Sequence, residues 1–179
     1  MFKVDELYLK SIKELRSALP RLVFFLGIAY IVWVVSTMFL IPLTEGVVIR
    51  GVELSKVGSL VVLIAIITLL FFSFWETRKV ANSLAGILAS YLSAEEVNRI
   101  RLKKLRMSFQ FLLFPIPTYI SFIIFSKVIE QVSSLAKTLI PVGIGIWVVL
   151  AFLILAMVVG VEIEEVAKRF LEKSRKKKS

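Results

Sequence analysis

The chain has 179 residues, of which 58% are hydrophobic, a formal net charge of +10, and neither cysteine nor histidine. It is too apolar for an ordinary soluble domain. The missing residues exclude disulfides, thiolate chemistry, Cys/His zinc sites, haem ligation by either side chain and histidine acid–base catalysis.

Four stretches contain no Asp, Glu, Lys or Arg: Leu22–Leu43, Val57–Trp75, Met107–Ser126 and Thr138–Val161. Each is close to the ~20 apolar residues needed to cross a hydrocarbon core ~30 Å thick. The predicted fold class is therefore all-α integral membrane, with four transmembrane helices. Met1–Leu19 reads as an amphipathic helix on the inner leaflet, with Leu7, Ile12, Leu15 and Leu19 near one face and Lys10, Lys13 and Arg16 around it. Pro20 then marks the entry to the first span, where a missing N–H costs little. That span is too long for a removable signal peptide and lacks a small-x-small cleavage site, so it is expected to stay as an anchor.

The second span is expected to continue past the membrane surface. Thr77–Tyr91 has no proline, and Val80, Leu84, Ile87, Leu88 and Tyr91 extend a helical stripe. Ser93 followed by Glu96 has capping-box spacing, so a new helix is predicted to begin there and run through Arg106 into the third span. Within that span Pro115-Ile-Pro117 predicts a kink or short break, with Thr118, Tyr119 and Ser121 near the freed carbonyls. Pro141, Gly143 and Gly145 loosen the outer end of the fourth span.

Charge sets the predicted orientation. Met1–Arg21, Glu76–Arg106 and Glu162–Ser179 hold 5, 7 and 7 of the 23 Lys and Arg residues, and the two other connections hold two each. Basic loops are retained on the cytoplasmic side, which places the N- and C-termini and the central connection in the cytoplasm of a multi-pass cell-membrane protein.

An internal repeat divides the chain into residues 1–92 and 93–179. Asp5–Arg16 lines up with Glu95–Arg106 at an offset of 90, so that Glu6, Lys13, Leu15 and Arg16 recur as Glu96, Lys103, Leu105 and Arg106. Glu76–Ala81 lines up with Glu162–Ala167 at an offset of 86. Each half becomes an inner helix, a span (22–43 or 107–126), an outer turn, a second span (57–75 or 138–161) and an inner extension. The two helical hairpins would insert the same way up, as a parallel repeat.

Glu76 and Glu162 occupy equivalent repeat positions where a span meets the interface, and two such carboxylates can form a cation-attracting ring at a pore mouth. The plainer reading pairs them with Arg78, Lys79 or neighbouring basic helices. Pro115, Pro117, Thr118 and Tyr119 form a candidate ligand site at a helix break, against a plain packing kink. Ala156 and Gly160 have the small-xxx-small spacing that favours close helix packing. The tail residues Lys173, Arg175, Lys176, Lys177 and Lys178 suit anionic inner-leaflet lipid. Nucleic acid is not expected, because no aromatics are interleaved with the charge.

No span carries the ionisable residue that a proton- or sodium-driven carrier uses. There is no potassium-type filter, phosphate loop or paired-acid site, so no enzyme activity and no cofactor or metal is implied. Two readings result. One is a non-catalytic scaffold or accessory subunit in a homo-oligomer or larger membrane complex. The other is an oligomeric channel or passive pore with Glu76 and Glu162 at its cytoplasmic mouth.

Overall fold

The computed structural model describes residues 2–49, 52–93, 96–132 and 134–176. The side chains of residues 2, 49, 52, 53, 96, 127–132, 134, 162, 165, 166 and 169–176 lie outside that description. Nearly everything described is helix: α1 (Val4–Val35), α2 (Ile41–Thr44), α3 (Leu54–Leu92), α4 (Arg99–Leu113), α5 (Pro115–Val132) and α6 (Ser134–Lys176). Four helical runs are long and apolar enough to cross a membrane: Val4–Thr44, Leu54–Leu92, Arg99–Ser126 and Leu135–Val161. This is consistent with a multi-pass membrane protein.

Pro20 does not begin a helix. It lies inside α1, one continuous helix of 32 residues. The acceptor that Pro20 leaves unpaired is the carbonyl of Arg16, and both residues are exposed, so solvent can take the lost bond. Continuity has a positive cause as well. The buried residues of α1 are Leu7, Ser11, Ala18, Leu22 and Ala29, spaced by alternating steps of four and seven. That is one coiled-coil-like seam, and it passes straight through the proline. Nothing along the seam favours a bend at residue 20.

The partner of that seam is α3, a helix of 39 residues. From Val57 to Trp75 it carries no charged residue. From Glu76 to Ser90 it is buried on nearly every side, and the buried positions there are mostly small: Thr77, Ala81, Ser83, Ala85, Gly86, Ala89 and Ser90. Small side chains let neighbouring helices approach closely. Leu7 of α1, Ala85 and Ala89 of α3, and Leu102 and Leu105 of α4 form one apolar cluster, closed by Val97. Ala18 and Leu22 pack on Val80. Deeper in the spans, Ala29, Ile66, Leu70 and Ile124 join α1, α3 and α5.

The connection into α4 departs from the predicted capping box. Helix α4 starts at Arg99, and its cap is Asn98, whose Oδ1 accepts from the backbone N–H of Ile100 at 2.8 Å. Glu96 and Val97 instead form a strand, β4, antiparallel to β1 (Phe2–Lys3), with Phe2 opposite Val97 and Lys3 opposite Glu96. The strand holds the start of α1 beside the start of α4. Glu6 lies in a helix and Glu96 in a strand, so the two segments aligned at an offset of 90 do not coincide residue for residue in conformation.

Helix α1 passes into α2 through a π-helical turn, Ser36–Leu40, in which Ile41 N–H reaches back to the Ser36 carbonyl. Pro42 follows directly. Its ring crowds the carbonyl four residues back, and the widened turn relieves that crowding. At this opposite end of the bundle β2 (Val48–Ile49) pairs antiparallel with β3 (Val52–Glu53), and Gly46 takes a positive φ of 79°. The β-branched run Val47-Val48-Ile49 ahead of Gly51 is the sequence signal for this small hairpin.

The tightest helix contact yields a prediction. A Cβ placed on Gly86 would collide with Ser11 Oγ and stand 3.1 Å from Ser11 Cβ. Gly86→Ala should therefore cost about 1–2 kcal/mol of stability through overpacking, despite alanine's better helix propensity. In a Ser11→Gly background the same substitution should cost nothing. Thermal unfolding of the four members of this cycle in detergent, followed by circular dichroism, measures the coupling.

Candidate functional site at the charged end of the bundle

Helix α3 carries Glu76, Lys79 and Asn82 at the charged end, because it passes there from the apolar stretch without a break. Glu76 is the first charge after that stretch, and it is 5% exposed. Its Oε1 accepts from Lys79 Nζ at 2.6 Å, one helical turn on. Its Oε2 is buried with no partner among the described residues. Lys79 also lies 5.9 Å from the ring centroid of Trp75, a weak cation–π contact. Two turns beyond Glu76, Asn82 Oδ1 accepts from Gln110 Nε2 at 2.8 Å and ties α3 to α4.

The hydroxyls in and near the spans are mostly used locally. Thr37, Ser59, Thr68, Ser73, Thr77 and Thr118 each donate to the carbonyl four residues back, at 2.7–2.9 Å. Ser121 does the same to Pro117 at 2.7 Å. A hydroxyl satisfied by its own helix needs nothing from across the bundle. Ser83 Oγ and Trp147 Nε1 are buried without a partner among the described residues.

The helix break falls at Phe114, between Leu113 and Pro115. Thr118 meets the break, since both its N–H and its hydroxyl bond the Phe114 carbonyl, at 3.3 and 2.8 Å. Pro115 and Pro117 are buried, whereas Tyr119 is exposed and stacks on Phe122 with centroids 6.4 Å apart. The four residues thus do not converge on a common space. Their polar groups repair the backbone or face outward.

Glu76 is placed on α3, whereas the side chain of Glu162 lies outside the described residues. Val158 and Val159, just before Glu162 on α6, pack against the cluster containing Ala85 and Ala89. The side chains of Lys173, Arg175 and Lys176, whose backbone continues α6, lie outside the described residues too, as do Lys177 and Lys178 entirely. Ala156 and Gly160 are exposed, and a Cβ on Gly160 would meet nothing of this chain within 4 Å.

Two further features belong to the charged end. Tyr8 and Tyr91 meet edge to face with centroids 5.7 Å apart and hydroxyls 3.4 Å apart. The hydrogen bond to Tyr91 raises the pKa of the Tyr8 hydroxyl above its ordinary value. On α6, Lys168 Nζ lies 2.7 Å from Glu164 Oε1, and this bond lowers the Glu164 carboxyl and raises the Lys168 ammonium. Among the described residues no group of three or more acidic side chains is placed to hold a metal ion.

The charged end also holds a groove between α1 and α3. It is lined by Lys10, Lys13, Glu14, Ser17, Ala18 and Lys79, with a volume of about 370 Å³. Sequence reasoning named Lys10, Lys13 and Lys79 only as flanking charges. Their convergence depends on α1 running along α3. The available signal was the spacing 10, 13/14, 17 on one helix face, facing position 79.

No protein-family model matches this chain, and no curated protein or solved structure matches it either.

The Glu76–Lys79 pair can be tested directly. Lys79→Met leaves a buried carboxylate without its cation and should cost about 2–3 kcal/mol, discounted from the usual buried-pair figure because Lys79 is partly exposed. Glu76→Gln should cost less, and the double substitution should be closer to wild type than Lys79→Met alone. Chemical unfolding of the three variants in detergent gives the order.

Proposed function

We propose that this is a non-catalytic multi-pass membrane protein, a scaffold or accessory subunit that packs into a homo-oligomer or a larger membrane complex. The observation that carries the reading is the state of the polar groups in the spans. Most span hydroxyls are spent on their own helices, Glu76–Lys79 and Asn82–Gln110 close on each other, and within the apolar stretches only Trp147 Nε1 is buried without a partner among the described residues. What remains on the outside is apolar. Only 11% of the most apolar window of the fourth span is buried within the chain. Val149, Phe152, Leu153, Met157 and Val161 of α6 are all exposed. Such a surface is suited to lipid and to other helices, and Ala156 and Gly160 on α6 leave room for close approach.

In this reading both termini and the α3–α4 connection face the cytoplasm of the cell membrane, because they hold 19 of the 23 basic residues. The charged end is then a platform of amphipathic helices for partners, and the tail from Lys173 to Lys178 adds attraction to anionic lipid. The two halves, 1–92 and 93–179, form a parallel repeat of helical hairpins about an axis along the membrane normal. Support comes from the similar order of elements: a short strand, a charged helical segment entering a span, an outer turn and a second span continuing into a charged segment.

The test is ion flux from proteoliposomes loaded with K⁺, Na⁺ or Cl⁻, beside native mass spectrometry of the same preparation. The scaffold reading predicts flux equal to empty liposomes and a defined oligomer or a stoichiometric partner. Selective flux reduced by Glu76→Gln plus Glu162→Gln would instead establish a pore with those carboxylates at its mouth.

A further inference from the structure

We propose that the groove between α1 and α3 is a binding site for the phosphate headgroup of an anionic phospholipid. The inference is independent of the scaffold reading. Lys10, Lys13 and Lys79 line the groove from two helices, with Ser17 as a neutral donor and Glu14 as the one carboxylate. Lys10 and Lys13 have no ion pair among the described residues. Three ammonium groups against one carboxylate leave the lining at +2, or +1 once Lys79 is counted as neutralised by Glu76. A phosphodiester bears a single negative charge, so the charges match.

The level of the groove points to lipid rather than to a soluble ester. The apolar stretches of α1 and α3 end at the same height. Arg21 and Glu76 bound them, and Ala18 and Leu22 pack on Val80 just below. Trp75, 54% exposed, stands at this boundary, where tryptophan sits at a membrane interface. Lys79, one turn past Trp75, is steadied by Glu76 and by the Trp75 ring.

The same faces continue upward into the apolar region. On α1, positions 14, 17, 21 and 24/25 follow one another at helical spacing, as do 79, 75 and 72 on α3. Phe25 and Phe72 stack there with centroids 5.5 Å apart, and Phe24 and Phe72 are exposed. A headgroup in the groove would therefore have an aromatic surface directly above it for its acyl chains. A soluble phosphate would make no use of that surface. Basic pockets between helices at a membrane interface bind acidic headgroups by this combination.

The experiment uses the purified full chain in mild detergent and native mass spectrometry with added phosphatidylglycerol or phosphatidylcholine of identical acyl chains. Wild type should retain phosphatidylglycerol preferentially. Lys10→Gln plus Lys13→Gln should weaken that retention by up to about 30-fold, or about fivefold per lysine. These two exposed lysines lack partners, so the fold should hold, and the unfolding midpoint checks this. Lys103→Gln plus Lys104→Gln, which removes the same charge from exposed positions on α4, should retain the lipid as wild type does. Equal losses in the two double variants would overturn the site in favour of general charge attraction. Equal retention of both lipids would overturn it as well. Displacement of the lipid by glycerol 3-phosphate at comparable concentration would overturn the lipid assignment and leave a site for a soluble phosphate ester.

Discussion

The contact between Ser11 and Gly86 fixes how closely α1 can lie along α3, and the rest of the charged end is built around that spacing. A larger residue at either position would push the helices apart. Leu7 would then lose its seat on Ala85 and Ala89, Ser90 Oγ its contact with the Val4 carbonyl at 3.5 Å, and β1 its register with β4. Water drives apolar association outside the bilayer, but between helices in lipid packing has to supply most of the attraction. A seam that crosses both environments must suit each of them. Small residues meet both requirements, because they bring backbones into van der Waals contact in either solvent.

This geometry explains which parts of the fold were legible in the sequence. The four spans follow from uninterrupted apolar length, and the extension of α3 follows from the absence of breakers beyond Trp75. The helix does not end before Pro20, because a proline is only a local cost while the 4–7 seam from Leu7 to Ala29 acts over about six turns. The face chosen from hydrophobicity alone, Leu7, Ile12, Leu15 and Leu19, shares only Leu7 with the buried seam. Ser11 and Ala18, which are small, occupy the positions of closest approach instead. The start of α4 was misplaced because Ser93 and Glu96 satisfy the capping-box pattern, whereas pairing with β1 draws Glu96 into a strand and leaves the cap to Asn98.

The candidate sites were legible as residues and not as arrangements. Glu76 was visible as the first charge after a span, but its burial depends on α3 being enclosed at that height. The Pro115–Pro117 break was readable from the missing N–H groups, and so was the help from Thr118, because a hydroxyl four residues after a carbonyl can reach it. The basic groove could not be read, since its lysines converge only once two helices are set side by side. Sequence shows which groups are unusual for their surroundings. Which of them meet is decided by packing.

Most of the buried polarity is satisfied close to home, with Glu76 Oε2, Ser83 Oγ, Arg106 Nε and Trp147 Nε1 as the buried atoms that have no partner among the described residues. Glu76 takes its cation from the next turn of the same helix, the span hydroxyls take carbonyls from the preceding turn, and Asn82 with Gln110 bridges α3 to α4. The claim on which this account depends is that α1 is a single helix docked along α3 through and beyond residue 20. Paired cysteines test it most directly, in a chain that has no native cysteine. Ser11→Cys with Gly86→Cys should form an intramolecular disulfide on mild oxidation, because the Cβ positions lie 3.1 Å apart and a parting of under about 1 Å brings them to disulfide separation. Leu9→Cys with Gly86→Cys, from the exposed face of α1, should not. Absence of the first cross-link in folded protein, or equal cross-linking of both pairs, would contradict the docked helix.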